Sequence, residues 1–295
     1  MNNMVPYDAA HIYKACKNLS SRKVINAIES GCYRIGDDKK GVFVDISNML
    51  NKSVEDTFIN AVNIPLDKSI KTRTDSEVIF TDIDVMSAVM REMNIFGRSI
   101  SVLGSGLTTR VCGDWQLNGK GIDESIARCT CAFASCNKYY EEFYKKNAKQ
   151  DNCGMYNDDI LYAKNIPVIM SSPNKYLGRP FVIDYIVASS VNRRKIIGKK
   201  PALIKIIPDV LLARAERVLQ SVISVNSAIS ERIVILNPFG CGAFGNSPDQ
   251  MAHIWKVLLE DKGYKWYFKH VVFICNYQET GISKDVFERK YMEEI

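Results

Sequence analysis

Short apolar runs without polar alternation recur along the last two thirds of the chain. They lie at residues 99–103, 183–188, 232–236 and 271–275. Runs of this length are typical of strands that are covered on both faces. Segments with helical periodicity separate the runs, at residues 122–144, 210–230 and 248–261. Because strands alternate with helices, the pattern predicts a mainly parallel sheet with helices on both of its faces.

The first third of the chain predicts smaller elements. An amphipathic stretch around Ile25 indicates a helix that ends near Gly31. Residues 36–38 form a turn signal, and residues 41–44 are typical of a short strand. Residues 67–76 carry charges and hydroxyl groups, so we expect an exposed connection there.

The composition excludes several classes of protein. Of the 295 residues, 46% are hydrophobic and 24% are charged, which argues against a disordered or fibrous chain. The apolar runs fall short of the roughly 18 residues of a membrane span, and the first residues lack the apolar core of a secretory signal. Nine cysteines without paired CxxC motifs favour reduced thiols. We therefore expect a cytoplasmic or nuclear protein with no membrane partner, and the cytoplasm is the simpler location.

The net charge of +6 is modest, and its densest patch is Arg193, Arg194 and Lys195. Short basic patches are mostly solvated surface, and we interpret these residues in this way. A basic balance nevertheless favours a ligand that carries phosphate. The chain has no aromatic-interleaved basic stretch and no known nucleic-acid module, so we do not expect a nucleic-acid partner.

A glycine-rich segment follows the third run, where parallel sheets bind their ligands. It reads NPFGCGAFGNSPD over residues 237–249. Ser247 suits the N-cap of the next helix, and Pro248 suits its first position. Small residues let backbone N–H groups converge, and the helix N-terminus adds positive potential, so we interpret this loop as a cradle for a phosphate or diphosphate. The alternative is a tight connection that needs glycine only for its backbone dihedral angles.

The spacing Gly240-x-Gly242-x-x-Gly245 also fits a dinucleotide-binding fingerprint. That fingerprint requires an acidic residue at the tip of the following strand, about twenty positions on. Here that strand ends at Cys275 and Asn276 without a carboxylate, and too little chain remains for the rest of such a domain. We therefore exclude a hydride-transfer enzyme and expect no cofactor.

A polar loop over residues 104–121 leads into a helix with Asp123 and Glu124 in its first turn, and Asp114 lies within the loop. Acids in a first turn also complement the helix dipole, which is the purely structural alternative. The phosphate loop expected at the same sheet edge favours an active site instead. We expect no metal, because the histidines and cysteines lack metal-ligand spacing.

These segments together resemble the microbial poly(ADP-ribose) glycohydrolase-type branch of the macrodomain superfamily. Residues 240–246 (GCGAFGN) and the helix after them are similar to that family's phosphate loop and final helix. Residues 186–192 (IVASSVN) resemble the family strand that ends in an alanine-rich turn, and residues 23–45 resemble its N-terminal extension.

The resemblance implies a three-layer α/β/α macrodomain with a mixed, mostly parallel central sheet and an N-terminal helical extension. It implies one elaborated domain over residues 1–295, in which an extension at 1–75 packs on a core at 76–295. The catalytic loop departs from the family pattern. Gly104 replaces an asparagine, residues 111–114 (VCGD) replace a proline and three glycines, and residues 122–124 (IDE) replace Gln-Glu-Glu. These departures argue against efficient cleavage of poly(ADP-ribose).

The resemblance also implies ADP-ribose or an ADP-ribosylated protein as the partner, with the diphosphate on the glycine loop and the distal ribose against the catalytic loop. It implies Glu124, then Asp123, and Asp114 as a third participant, as the carboxylates that assist hydrolysis at C1″. The expected ligand contacts are Gly104, Gly113, Asn118, Asn192, Gly240, Cys241, Gly242, Ala243, Phe244, Gly245 and Asn246.

Three classes of function remain open. The first is a hydrolase that removes ADP-ribose from modified proteins, and three acids around one anomeric carbon suit a cationic leaving group such as an arginine guanidinium. A poly(ADP-ribose) glycohydrolase is the alternative within this class. The second is a non-catalytic reader of ADP-ribose, and the third is a binder of another nucleotide or of RNA on the same scaffold. The oligomeric state is not indicated.

Overall fold

The computed structural model describes residues 16–36, 40–60, 70, 72–93, 98–150, 152–226, 228 and 230–293. The helices are α1 (Leu19–Ser30), α2 (Ser47–Glu55), α3 (Val85–Met93), α4 (Ile122–Ala127), α5 (Ala132–Asn137), α6 (Lys146–Lys149), α7 (Arg193–Lys199), α8 (Ile207–Val225), α9 (Pro248–Lys256), α10 (Tyr277–Thr280) and α11 (Lys284–Met292). The strands are β1 (Cys32–Ile35), β2 (Val42–Asp45), β3 (Phe58–Asn60), β4 (Glu77–Thr81), β5 (Arg98–Leu103), β6 (Ile160–Ser172), β7 (Lys175–Ala188), β8 (Glu231–Leu236) and β9 (His270–Ile274). Short 3-10 turns span Asn152–Gly154, Pro201–Ile206 and Tyr264–Tyr267, and π-helical turns span Tyr140–Lys145 and Val257–Asp261.

Within the described residues, the central sheet has seven strands in the order β3-β6-β7-β5-β8-β9-β4. From β7 through β5, β8 and β9 to β4, each pair of neighbours is parallel. β6 is antiparallel to both β3 and β7. The mixed, mostly parallel sheet is therefore confirmed. β1 and β2 form a separate hairpin, as the turn signal predicts, although part of that signal lies outside the described residues.

Alternate residues of the inner strands face two different apolar layers. In β8, Ile233 and Ile235 pack with one layer, and Val234 and Leu236 pack with the other. The first layer contains buried residues of α1 to α5, and the second contains buried residues of α7, α8, α9 and α11. A strand covered on both faces has no polar side to show in its sequence, which explains the unbroken apolar runs. The result is a three-layer α/β/α arrangement.

The continuous helix predicted over residues 122–144 is wrong. Helix α4 ends at Ala127 and α5 begins at Ala132. Between them Thr130 forms a β-bridge with Val168, and the Cys131 N–H donates to the Pro167 carbonyl at 2.9 Å. Strand β6 therefore interrupts the helix by taking its backbone hydrogen bonds. The helices predicted over residues 210–230 and 248–261 are confirmed as α8, which ends earlier at Val225, and as α9 with its following π-helical turn.

The amino-terminal segment is built into the core. β3 pairs with β6 at one edge of the central sheet, while β4 lies at the opposite edge. The expected division into an extension at residues 1–75 and a core at residues 76–295 stays a prediction. In the structure β3 lies before this division and β4 lies after it, and both strands belong to one sheet. The exposed connection expected over residues 67–76 lies mostly outside the described residues. Within the described residues, no helix is long and apolar enough to cross a membrane.

The two-sided burial of β8 leads to a stability prediction. Ile235 is 1% exposed, so Ile235→Ala should lower the free energy of unfolding by about 2–5 kcal/mol through lost burial and a residual cavity. Ile197 on α7 is 45% exposed, and Ile197→Ala should change it by no more than about 0.5 kcal/mol. Urea unfolding followed by circular dichroism measures both. Equal losses in the two variants would contradict a buried β8.

Candidate active site

The carboxyl ends of β5, β8 and β9 open onto one cleft of about 800 Å³, within the range of small-molecule sites. Asp114 and Glu124 line it on the side of the polar loop, and Gly242 and Phe244 line it on the side of the glycine loop. Residues 277–282, which follow β9, close a third side. The two candidate segments therefore share one cavity.

Asn237 joins the two sides at the floor of the cleft. This buried residue follows β8, and its Nδ2 donates to the carbonyls of Leu103 at 2.8 Å and Gly104 at 3.2 Å, at the end of β5. Its own carbonyl accepts from Trp255 Nε1 at 3.2 Å. The glycine loop, the polar loop and α9 are thus tied to one another through the side chain and the backbone of a single residue.

Asn246 braces the glycine loop from below. Its Nδ2 donates to Ser190 Oγ at 3.0 Å and to the carbonyls of Val191 at 2.8 Å and Gly240 at 3.2 Å. Gly240 has a φ of 72°, and a Cβ there would lie 2.6 Å from Asn246 Nδ2. The loop therefore requires glycine at this position. Asn246 holds the loop in shape and does not line the cleft.

The backbone N–H groups of the loop fall into two sets. One set is paired within the loop: Cys241 with Pro238 at 2.9 Å, Gly245 with Gly242 at 3.2 Å, and Asn246 with Gly240 at 3.2 Å. In the part of the chain that the structure describes, no protein acceptor pairs with the N–H of Gly242, Ala243 or Phe244, and all three residues line the cleft. Next to them α9 begins with Ser247 as its N-cap and Pro248 at its start, as predicted. Three successive free donors beside a helix N-terminus are suited to a phosphate group.

Arg194 adds a positive charge to this donor group. Its N–H donates to the Phe244 carbonyl at 3.1 Å. A Cβ on Gly245 would lie 2.8 Å from Arg194 Nε, so the side chain lies across the loop. Arg194 is exposed, as expected for a solvated basic patch, but it also lines the cleft. Its place soon after the end of β7 is the sequence signal for that role.

Phe244 lines the cleft and packs against Tyr156, with ring centroids 5.9 Å apart and planes at 29°. The sequence pattern leaves two alternatives for Phe244, a stacking surface for a ligand or a wall of the core. Phe244 is half-buried and lines the cleft, so its position suits the stacking surface. Nothing in the sequence pattern points to Tyr156.

Glu124 is enclosed by the glycines of the polar loop. A Cβ on Gly119 would lie 2.8 Å from Glu124 Cγ, a Cβ on Gly121 would lie 2.6 Å from Oε2, and a Cβ on Gly113 would also meet the carboxylate. Gly113 has a φ of 64°. The N–H of Asp114 donates to Glu124 Oε1 at 3.0 Å. The loop glycines thus make room for this carboxylate at the cleft.

Asp123 lies beneath the cleft and is only 2% exposed. Its carboxylate accepts the Ser105 N–H at 3.2 and 3.3 Å, the Ser105 hydroxyl, and the Tyr185 hydroxyl. Burial raises the pKa of Asp123 to about 6, and the charge of Glu124 adds to the shift. A Cβ on Gly104 would lie 2.5 Å from Asp123 Oδ1. The absence of a side chain at residue 104 therefore leaves space for Asp123.

Asp114 is already paired. Its carboxylate forms an ion pair with Arg110, four residues earlier, and both side chains line the cleft and are partly exposed. The negative charge of Asp114 is therefore partly neutralised by Arg110. Among the acids expected from the sequence, this leaves Glu124 as the carboxylate at the cleft without a cationic hydrogen-bond partner.

Glu279 is a further acid at the cleft, and no sequence motif singles it out. It lies on α10, lines the cleft, and accepts the Val85 N–H at 2.8 Å. Burial raises the pKa of Glu279, and the hydrogen bonds from Ser125 and Val85 offset only part of this rise. Burial also lowers the pKa of the nearby Arg128, and the negative charges of Glu124 and Glu279 offset only part of this fall. The signal was available, because Glu279 follows β9 at the ligand-binding edge of the sheet.

The predicted residues divide into three groups. The cleft brings together Asp114, Glu124, Gly240, Cys241, Gly242, Ala243 and Phe244. Asp123, Gly104, Gly113, Gly245 and Asn246 lie behind this surface and shape it. Asn118 is exposed on the polar loop, and Asn192 caps α7 by accepting the Lys195 N–H at 3.0 Å. Neither of these two asparagines lines the cleft, so the geometry gives no support for their predicted ligand contacts. Among the described residues, no group of three His, Cys, Asp or Glu side chains could hold a metal ion.

The three-layer fold thus places a glycine-rich loop with free backbone donors opposite the carboxylate of Glu124. The family model for the microbial-type PARG (poly(ADP-ribose) glycohydrolase) catalytic domain matches residues 21–171. The chain therefore belongs to the microbial-type poly(ADP-ribose) glycohydrolase family, whose members hydrolyse glycosidic bonds. No curated protein sequence matches the chain. The resemblance inferred from the motifs is confirmed.

Solved structures show that the fold is shared beyond the matched residues. The poly(ADP-ribose) glycohydrolase of Thermomonospora curvata has a TM-score of 0.76 at 22% identity, over 95% of this chain and 99% of that one. The same enzyme bound to the inhibitor ADP-HPD scores 0.75 at 21% identity, with the same coverage. The Deinococcus radiodurans enzyme in complex with ADP-ribose scores 0.65 at 20% identity, over 82% of this chain and 96% of that one. At these identities the structures establish the shared fold.

The buried Asp123 predicts a pH dependence of stability. Burial raises its pKa from 3.8 to about 6, so between these values the folded protein binds more protons than the unfolded chain. The contribution of Asp123 to the free energy of unfolding therefore falls as the pH rises from about 4 to about 6. Asp123→Asn removes the titrating group, so its unfolding free energy should improve relative to the unmodified protein across this window. Urea unfolding at several pH values measures the difference. A constant difference would contradict the burial of this carboxyl, and Asp209→Asn, an exposed acid on α8, is the control.

The enclosure of Glu124 predicts opposite effects for two glycine substitutions. In Gly113→Ala, an alanine must adopt the left-handed backbone conformation, and its Cβ meets the Glu124 carboxylate. The substitution should therefore lower the free energy of unfolding by at least about 1–2 kcal/mol. Gly198 in α7 has no atom within 4 Å of its added Cβ, so Gly198→Ala should raise it by about 0.5–1 kcal/mol. Thermal and urea unfolding measure both. A Gly113→Ala variant as stable as the unmodified protein would show that the loop does not enclose Glu124 in this way.

Proposed function

We propose that this protein is a poly(ADP-ribose) glycohydrolase, which releases ADP-ribose by hydrolysis of the bond at C1″ of a ribose. The observation that carries the proposal is the cleft itself: three free backbone donors and Arg194 on one side, and the carboxylate of Glu124 on the other. Membership of the family and the ADP-ribose complex of the Deinococcus radiodurans enzyme, which shares the fold, support the same substrate class.

The two ends of the cleft suit the two ends of ADP-ribose. A diphosphate at Gly242, Ala243 and Phe244 would accept their N–H groups and gain the charge of Arg194. The position of Phe244 at the cleft suits the adenine ring, because aromatic rings stack on bases. The distal ribose would then extend toward Glu124. Negative phosphates and negative carboxylates would thus lie at opposite ends of the cleft.

Glu124 is the proposed catalytic acid and base. Protonated Glu124 would give its proton to the leaving oxygen as the C1″–O bond breaks, and its carboxylate would then take a proton from the water that attacks C1″. The sum of the two steps is the addition of one water across the bond. The Asp114 N–H holds Oε1 during both steps, which favours one orientation of the carboxylate.

An arginine-linked substrate is less well supported than a polymer. The hypothesis of an arginine-linked substrate depends on three acids around one anomeric carbon. Asp123 is buried beneath the cleft, and Asp114 already binds the guanidinium of Arg110. A substrate guanidinium would have to displace Arg110 from Asp114. The departures in the polar loop therefore do not create a free acidic cluster for a cationic leaving group, and Glu124 in the cleft favours turnover over a non-catalytic reader.

The test is turnover with and without the proposed acid. Glu124→Gln should keep ADP-ribose binding but lower the release of ADP-ribose from poly(ADP-ribose) by about 10²–10⁴-fold, because a carboxamide cannot exchange the proton. The control is Asp209→Asn, an acid in the first turn of α8, which should keep full activity. Calorimetry measures binding, and chromatography of released ADP-ribose measures turnover.

Each alternative has its own outcome in this experiment. Binding without turnover in the unmodified protein would indicate a reader. Release from an ADP-ribosylated arginine peptide but not from the polymer would restore the arginine-linked substrate. Unchanged turnover in Glu124→Gln would contradict the assignment of the acid, and the absence of ADP-ribose binding would contradict the proposed function as a whole.

A further inference from the structure

Ser105 is the point at which the buried Asp123 reaches the cleft. It is the second residue after β5, it is half-buried, and it lines the cleft on the same side as Glu124. Asp123 itself is 2% exposed and does not line the cleft. A ligand therefore meets Ser105 rather than Asp123 at this position.

The hydrogen bonds that Ser105 makes to Asp123 determine which hydrogen bond it can form with a ligand. Its hydroxyl and its N–H both donate to the Asp123 carboxylate, the N–H at 3.2 and 3.3 Å. A serine hydroxyl has a single proton and two acceptor lone pairs. Because the proton is given to Asp123, only the lone pairs remain for a ligand. Ser105 thus presents a hydrogen-bond acceptor to the cleft.

An acceptor at this place selects among the groups of a nucleotide sugar. A phosphate oxygen is itself an acceptor and would also be repelled by the carboxylates of Asp123 and Glu124. A sugar hydroxyl can donate, and the negative charge behind Ser105 strengthens such a bond. The free N–H groups of the glycine loop have the opposite preference, because they donate. The two walls of the cleft therefore distinguish the sugar end from the phosphate end of a ligand.

The position of Ser105 is held from both sides. Tyr185 donates to Oδ1 of Asp123, while the Ser105 hydroxyl donates to Oδ2. On the other side of Ser105, the chain turns at Gly106, which has a φ of 103° and packs against Ser190. The Ser190 N–H donates to the Gly106 carbonyl at 3.1 Å. Ser105 thus needs little rearrangement to receive a ligand.

We propose that Ser105 accepts a hydrogen bond from a hydroxyl of the distal ribose, and that Asp123 is a positioning residue that acts through Ser105 without touching the substrate. This inference rests on the proposed function, because it takes ADP-ribose as the ligand. It assigns the two neighbouring acids different tasks: Glu124 faces the reacting bond, and Asp123 holds the acceptor that orients the sugar.

The test compares two ligands that differ in the distal ribose. Calorimetry at pH 8 gives the dissociation constants of ADP-ribose and ADP for the unmodified protein, Ser105→Ala, Asp123→Asn and the double variant. Ser105→Ala should weaken ADP-ribose by about five- to tenfold, the usual effect of one hydrogen bond, and leave ADP unchanged. Ser105→Thr, which keeps the hydroxyl, should recover most of the ADP-ribose affinity.

The double variant tests the role of Asp123. If Asp123 acts through Ser105, Asp123→Asn should weaken ADP-ribose in the unmodified background and add little in the Ser105→Ala background. Full additivity would overturn the positioning role. Should Asp123→Asn fail to fold, Tyr185→Phe replaces it, because it removes one donor to Asp123 without altering Ser105, and the same non-additivity is expected.

The remaining outcomes separate this inference from the proposed function. Unchanged ADP-ribose affinity in Ser105→Ala, or an equal loss for ADP and ADP-ribose, overturns the inference while the proposed function stands. Failure of the unmodified protein to bind either ligand overturns both.

Discussion

The parallel pairing of β5 with β8 is the contact on which the cleft depends. Because the two strands run in the same direction, their carboxyl ends reach the same edge of the sheet. Glu124 and Gly242, far apart in the sequence, consequently line one cavity. Asn237 reinforces the pairing where the strands end, since its amide donates to both Leu103 and Gly104. A side chain buried at this point resists any independent movement of the two loops.

The site separates its negative charges by giving each acid a different environment. Asp123 is buried among hydroxyl and amide donors, Asp114 is paired with Arg110, and Glu124 stays at the cleft with one amide. Burial of a carboxyl is unfavourable unless its lone pairs are satisfied, and Ser105 and Tyr185 satisfy those of Asp123. Of these three acids, Glu124 thus remains available for chemistry at the surface of the cleft.

The amino-terminal segment is part of this machinery. The Ser21 hydroxyl donates to the Trp115 carbonyl at 2.7 Å, and the Lys17 N–H donates to the Gln116 carbonyl at 2.9 Å. Trp115 is fully buried against Phe133. These contacts fasten the polar loop from the side away from the cleft. Residues that precede the central sheet therefore determine the shape of a loop that follows β5.

The apolar runs, the helix caps and the glycine spacing are local properties, so the sequence by itself determined the inner strands, the start of α9 and the identity of the two loops. It did not determine the break at Thr130, because β6 supplies the competing backbone hydrogen bonds from a distant part of the chain. For the same reason it could not separate Asp123 from Glu124. Adjacent residues on a helix point in different directions, and only packing decided which carboxylate meets Ser105 and Tyr185 and which meets the cleft. Arg194 and Glu279 reached the site in the same way, because the sheet brings the ends of β7 and β9 to the edge where β5 and β8 already meet.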